Sequence, residues 1–486
     1  MTKWKLEIKA PFNGYCLDWY NDDYNIYGAS NEANDMTNVD ITSLSCLKQG
    51  YTQKTLGNVS QLDTFFHWNT TNELVVSSSN QLLALKDFDT TSEKFSNLSW
   101  LPLSLSTSSI YRANTPEFNT VRIGDYWYTF YSLNNGNGEI AKSGGYDGTP
   151  AIDVDWGSTI PTGKAALQPH YDNIYCIARY IGWVAFGNSN YLGKLSDSLI
   201  LTPQYINYGT QEYVYDIENL NGYIYVLTCN DWYRDTITKS TLHLYKNDLS
   251  TDTELDTFVL NARVLSIIVF NNRLYAFYRY TNSTDNWFGV INGNQLQDIK
   301  KFDGELPNPL QCDVYKNGLI WHNGSKIYHA FQRVPNGEWI IENPFSPKYS
   351  ILNGIMSYQN KIIVGSTNGT LFDVSVYSTR TVTSNWTSVT TLLSDNNAVG
   401  MINAIEVTTN TLSTGARCDL SVYINQNVTA AKTLTINTVG ASKHLFRNLD
   451  ISNINEFKIK LDWSNGSTTN LCDIRRITIY GSTVSR

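Results

Sequence analysis

The sequence contains no cluster of lysines and arginines, no apolar run long enough to cross a bilayer, no Cys-x-x-Cys pair and few ionisable side chains of any kind. Charged residues make up 16% of the chain and the net charge is −8. A general nucleic-acid binder needs concentrated positive charge to displace counterions from phosphates, so no nucleic-acid specificity is expected. The missing apolar run speaks against membrane insertion, and Met1-Thr2-Lys3-Trp4-Lys5-Leu6-Glu7 has no apolar core of a secretory signal. Folding in a cytoplasm is the expectation. Cys16, Cys46, Cys176, Cys229, Cys312, Cys418 and Cys472 are odd in number and far apart, which suits buried free thiols better than a disulfide framework or a zinc site.

Catalytic signatures are missing too. There is no G-x-S-x-G elbow, no phosphate-binding G-x-x-x-x-G-K-S/T loop and no H-E-x-x-H helix. The six histidines are scattered; His322 and His329 come nearest to each other, on two strands of one hairpin, where packing is expected rather than metal binding. No metal, cofactor or catalytic residue is assigned. Glycosidases built as propellers use paired carboxylates at a channel mouth, and Asp125, Asp153, Asp155, Glu212, Asp216 and Asp313 occupy positions near strand starts. None lies in an S-x-D-x-G-x-T-W context, so these too are expected to be non-catalytic.

What the chain has in abundance is aromatic residues, with 32 Tyr, 13 Trp and 18 Phe in 486 residues. Aromatic and β-branched side chains suit pleated, half-buried surfaces. They recur in a pattern. Apolar strands begin at Glu73, Tyr126, Trp183, Tyr223, Arg273, Leu319 and Lys361, a spacing of about 48 residues. Each is followed by a partner strand, such as Thr241 to Tyr245 after Tyr223 to Thr228, and turns such as Asn221-Gly222 and Asn317-Gly318 supply the positive φ that tight hairpins demand. Small sheets at this spacing cannot bury both faces alone, so they predict a β-propeller of about seven blades over residues 59–377.

The remainder, residues 378–486, reads as regularly spaced strands. Strict alternation places Phe457, Ile459, Leu461 and Trp463 on one face and Lys458, Lys460 and Asp462 on the other, which predicts a C-terminal β-sandwich or jelly roll. Residues 1–58 do not share the repeat. They are expected to form a leader that straps onto the propeller or a neighbouring subunit. The fold class is therefore all-β, a propeller followed by a sandwich.

The leader residues Gly14-Tyr15-Cys16-Leu17-Asp18-Trp19-Tyr20, Tyr27-Gly28-Ala29-Ser30-Asn31-Glu32-Ala33 and Met36-Thr37-Asn38-Val39-Asp40-Ile41-Thr42, then Gln49-Gly50, resemble the start of propeller-type virion proteins of tailed bacteriophages. The resemblance implies a non-enzymatic tail subunit of the nozzle, hub or collar kind, located in the virion and assembled with other virion proteins and copies of itself as a ring. Two alternatives stand beside it. A receptor- or glycan-binding module would use exposed aromatic loops, with Trp19, Tyr20, Trp232, Tyr233 and Arg234 as candidate ligand or interface residues and a host surface glycan as partner. A propeller glycoside hydrolase would need carboxylates that converge in the channel mouth.

Overall fold

Odd and even residues of a single strand face different neighbours. In Trp183–Asn188, Val184 and Phe186 join a buried cluster with Val121, Ile123, Tyr128, Phe130 and Ile140, whereas Trp183 and Ala185 join another with Val214, Ile217, Ile224 and Val226. Period-two alternation sends successive side chains to opposite faces of a sheet, and here both faces are apolar. Such a sheet must be sandwiched between two others.

The architecture is that of a computed structural model. It describes residues 182–231, 234–246, 252–333, 337–358 and 398–485 without interruption, residues 361–368, 372–381, 383–388 and 390–393 between them, and, before residue 182, the strands together with residues 10, 41, 42, 46 and 176. Contacts divide the chain into two compact units. The first comprises Met1–Lys54, Lys326–Pro347 and Tyr377–Arg486, and the second Thr55–Ser325 and Lys348–Val376.

The second unit is a seven-bladed β-propeller. Five blades are complete four-stranded antiparallel sheets whose strands follow one another in sequence order; they occupy residues 64–101, 119–153, 177–207, 213–260 and 262–302. The sixth contributes Cys312–Tyr315 and Gly318–His322, and the seventh consists of Ile351–Tyr358, Lys361–Thr367, Phe372–Arg380 and, from much earlier in the chain, Tyr51–Val59. The first strand of each blade lies innermost. Thr64–Trp68, Asn119–Ile123, Ile177–Tyr180, Tyr213–Leu220 and Ala262–Phe270 each pack on the next. Ala262–Phe270 packs on the turn Pro309–Gln311 that leads into Cys312–Tyr315, which packs on Ile351–Tyr358, and Ile351–Tyr358 returns to Thr64–Trp68. The ring is closed.

The strands expected at Glu73, Tyr126, Trp183, Tyr223, Arg273 and Lys361 start at those residues, and the one expected at Leu319 starts at Gly318. All seven are second strands of their blades. Asn221 and Gly222 have φ of 55° and 80°, so their turn joins Tyr213–Leu220 tightly to Tyr223–Cys229. Aromatic rings fill the space between blades five and six, where Trp321 meets Phe277 at 5.0 Å, Phe302 at 5.4 Å and Phe288 at 5.9 Å.

The first unit holds the C-terminal β-sandwich. One sheet runs Thr2–Lys9, Ile474–Ser485, Ala398–Thr409, Lys443–Ile454; the other is built on Glu456–Ser464, flanked by Thr383–Ser388, Thr391–Leu392 and Cys418–Ile424. Phe457, Ile459, Leu461 and Trp463 are all buried, as alternation predicts. The segment read from sequence as a strap supplies strands to both sheets: Thr2–Lys9 pairs with Ile474–Ser485, Ile26–Tyr27 with Thr391–Leu392, and Ala33–Thr37 with Thr383–Ser388. Trp4 stacks on Phe457 with ring centroids 6.4 Å apart.

A polar anchor fixes residues 39–42 in the same unit. Arg380 Nη1 donates to Asp40 Oδ2 at 2.7 Å, Arg333 Nη2 donates to the Ile41 carbonyl at 2.9 Å, and the Ile41 amide donates to Glu342 Oε2 at 2.8 Å. Burial works to raise the Asp40 carboxyl, but Arg380 and the bonds from Thr42 hold it below the usual carboxylate range. No helix among the described residues is long and apolar enough to cross a membrane.

Blade three is packed too closely to accept an added methyl group at Gly193, because a Cβ there would lie 2.3 Å from two atoms of the Phe186 ring. Gly193→Ala should lower stability by about 1–3 kcal/mol, measured by denaturant unfolding. Combining it with Phe186→Leu should recover part of the loss relative to Phe186→Leu alone.

Candidate functional site

Three carboxylates lie on the inner strands of blades four and six. Asp216 and Glu218 are two apart on Tyr213–Leu220 and so face the same way, and Asp313 lies on Cys312–Tyr315. Asp216 Oδ1 accepts from the amide of Ile217 and Oδ2 from the amide of Ile267 in blade five, both at 2.8 Å. Asp313 repeats the device two junctions further on, between blades six and seven. Its Oδ1 accepts from Val314 at 2.7 Å and its Oδ2 from Ser357 in blade seven at 2.7 Å. Each aspartate thus joins its own inner strand to the inner strand of the next blade.

These groups are poorly solvated. Burial pushes Asp216 up to about 7 and Asp313 up to about 6, outweighing the amide bonds that favour the charged forms. Glu218 is raised well above the usual range by burial first and by the charge of Asp216 second, with Asp313 adding to it.

A second cluster lies in blade four. The ring of His243, on Ser240–Lys246, is buried between two glutamates: Nδ1 meets Glu254 Oε1, and Nε2 lies 3.1 Å from Glu212 Oε2. Thr228 Oγ1 lies 3.0 Å from both His243 Nε2 and Glu212 Oε2. Thr241 donates to Glu212 Oε1 at 3.4 Å, and Thr257 donates to Glu254 at 2.6 Å. The Tyr208 ring covers the imidazole at 4.5 Å between centroids. The hydrogen bond from His243 holds the Glu212 carboxyl below its usual range, ahead of the desolvation that opposes it. A hydroxyl, an imidazole and a carboxylate in line resemble a nucleophile–base–acid arrangement, but Thr228 is wholly buried and the Glu212 carboxylate occupies the position a substrate would need.

No protein-family model matches the sequence, and no curated protein matches it. Among solved structures, the chain is similar to the computationally designed Ika8 protein, with 11% identity, a TM-score of 0.37 and coverage of 66% of this chain and 99% of that one. The AfRom2 CNH domain shows 11% identity and a TM-score of 0.41 over 67% of this chain and 98% of that one. The exo-beta-1,3-galactanase of Phanerochaete chrysosporium shows 12% identity and a TM-score of 0.28 over 77% and 99%. Likeness this distant carries no functional argument.

Of the carboxylates singled out from sequence, Asp216 and Asp313 belong to the inner ring and Glu212 to the histidine cluster. Asp125 and Asp155 lie outside the described residues, and Asp153 ends the short strand Ile152–Asp153. Glu218, Glu254 and His243 were missed. Alternation along Thr241–Tyr245 puts Thr241, His243 and Tyr245 on one face, which was the available signal for His243; the two glutamates reach it from loops that carry no pattern.

Trp19, Tyr20, Trp232 and Tyr233 lie outside the described residues, and Arg234 opens the short turn Arg234–Thr236. The base of that loop is braced. Asn230 Oδ1 accepts from the amides of Thr238 and Lys239, Asn230 Nδ2 donates to Thr238 Oγ1, and Arg263 pairs with Asp235 at 3.1 Å. His322 is fully buried, accepts from the Gly324 amide through Nδ1 and is pushed down to about 3 by burial, while His329 bonds Glu342 at 2.7 Å. Among the described residues no group of three His, Cys, Asp or Glu is arranged to hold a metal ion. The six described cysteines are buried, and Cys16 lies outside the described residues.

An acid whose folded pKa is raised binds more protons folded than unfolded, so its contribution is fully present below its unfolded value and is lost as pH rises through the folded one. For Asp216 and Asp313 that window runs from 3.8 to about 7 and about 6. The melting temperature of the propeller should therefore fall between about pH 4 and pH 7 on their account. Asp216→Asn should make this slope shallower, as read by thermal unfolding across the pH series.

Proposed function

We propose that the chain is a non-enzymatic structural subunit of a tailed-bacteriophage particle, of the nozzle, hub or collar kind, working as one of several copies in a ring. The observation that supports this reading is how the inner-ring carboxylates are used. A glycosidase keeps one carboxyl free to donate a proton and another free to attack or to activate water. Two of the three inner-ring carboxylates, Asp216 and Asp313, instead have both oxygens committed to backbone amides of two adjacent blades. Such groups hold a disc together. A disc formed by a chain rich in Tyr and low in charge suits interfaces anchored by aromatic and polar contacts.

The reading expects the chain in purified particles at a fixed copy number and no turnover of chromogenic glycosides by the isolated protein. Mass spectrometry of gradient-purified particles checks the first point. Presence in infected-cell lysate combined with absence from particles would overturn the proposal.

A second reading attaches to the loop between Cys229 and Ser240. Its base is held by Asn230 and by the Arg263–Asp235 pair, and the Asp235 side chain is 96% exposed. Trp232 and Tyr233, which fall between Asn230 and Asp235 in the sequence, would serve as a stacking platform for a host surface glycan. On a glycan array, Trp232→Ala should then lose at least about tenfold in binding, a loss of about 1.4 kcal/mol. Unchanged binding by the variant, or no bound glycan at all, rejects this reading.

A further inference from the structure

We infer that His243 is a proton-controlled latch that ties the connection between blades three and four to the middle of blade four, and that loss of the imidazole proton releases Glu212. The geometry rests on hydrogen-bond arithmetic. Both ring nitrogens of His243 face carboxylate oxygens, which can only accept, so holding both carboxylates at once requires both nitrogens to donate. An imidazole does this only as the imidazolium. The neutral ring has one N–H and must give up one partner.

The surroundings decide which partner is lost. Thr228 Oγ1 is 3.0 Å from His243 Nε2, and its hydroxyl now donates to Glu212 Oε2. When the ring becomes neutral, that hydroxyl can turn and donate to Nε2, leaving Nδ1–H on Glu254. Glu212 then loses two bonds in one event, the N–H from His243 and the O–H from Thr228, and gains a lone pair facing its carboxylate. It keeps only the longer bond from Thr241 Oγ1. Glu254 keeps His243 and Thr257.

Glu212 is the residue immediately before the inner strand of blade four, Tyr213–Leu220, and it ends the connection that leaves the outer strand of blade three, Leu201–Asn207. That connection is otherwise held by bonds from Tyr208 N to Asn190 O and from Val214 N to Ser189 O. The other titratable groups around the latch are Tyr208 and Cys176 from blade three and Cys229, Tyr245, Lys239 and Asp252 from blade four. Burial raises Tyr208, Tyr245, Cys176 and Cys229 beyond the range in which histidine exchanges its proton. Acidification breaks the latch differently, by protonating Glu212.

Hydrogen–deuterium exchange of the full-length protein, corrected for intrinsic rates and followed by mass spectrometry at about pH 5.5 and about pH 8.5, tests the latch. Protection across residues 208–214 should fall by about threefold or more at the higher pH, while residues 252–257 hold theirs. In Glu212→Gln, and in His243→Gln if that variant folds, residues 208–214 should exchange alike at both pH values. Three results would overturn the inference: no pH step in the wild type, a step at 252–257 instead, or a step that survives Glu212→Gln.

Discussion

A sheet that is apolar on both faces is stable only with a neighbour on each side, and this requirement governs the propeller. Blade three shows it within one strand, where Val184 and Phe186 pack toward blade two and Trp183 and Ala185 toward blade four. Because no blade can be an end blade, the ring must close. Closure is seen where Ile351–Tyr358 meets Thr64–Trp68, and where Tyr51–Val59 adds to Phe372–Arg380 in the last blade, which joins chain segments distant in sequence within a single sheet.

Apolar contact is not directional and leaves the angle between blades open. Polar groups at the inner strands fix it. Asp216 reaches across the junction of blades four and five and Asp313 across that of blades six and seven, each to a single amide, and Ser240, on the third strand of blade four, also joins blades four and five, accepting from Val264 N at 2.9 Å. A buried carboxylate is expensive unless fully bonded, so each of these positions tolerates one geometry. The same low-dielectric setting that raises the aspartates makes them responsive to pH. Structural clasp and pH sensitivity therefore have one cause.

The second strand of each blade was legible from sequence because its signal is local: an apolar run of four to six residues next to a Gly- or Asn-containing turn. The stretch Tyr223–Cys229 shows how far that reaches. Ile224 and Val226 are buried toward blade three, but Tyr223 is 41% exposed. The carboxylate positions were legible only as candidates. Asp216, Asp313 and Glu212 stood out by their place near strand starts, yet nothing in the sequence told a clasp from a catalyst.

Composition and periodicity alone determined the all-β class, the propeller with about seven blades, and the inward face of Phe457 to Trp463, since each follows from side-chain spacing along a strand. Tertiary structure alone decided what the N-terminal segment does. Thr2–Lys9 is a sandwich strand paired with Ile474–Ser485, and Tyr51–Val59 is a propeller strand, although the sequence pattern marked both as leader. It also brought His243 between Glu212 and Glu254. Strand pairing and loop convergence depend on which residues meet across long stretches of chain, and period-two spacing carries no record of the partner.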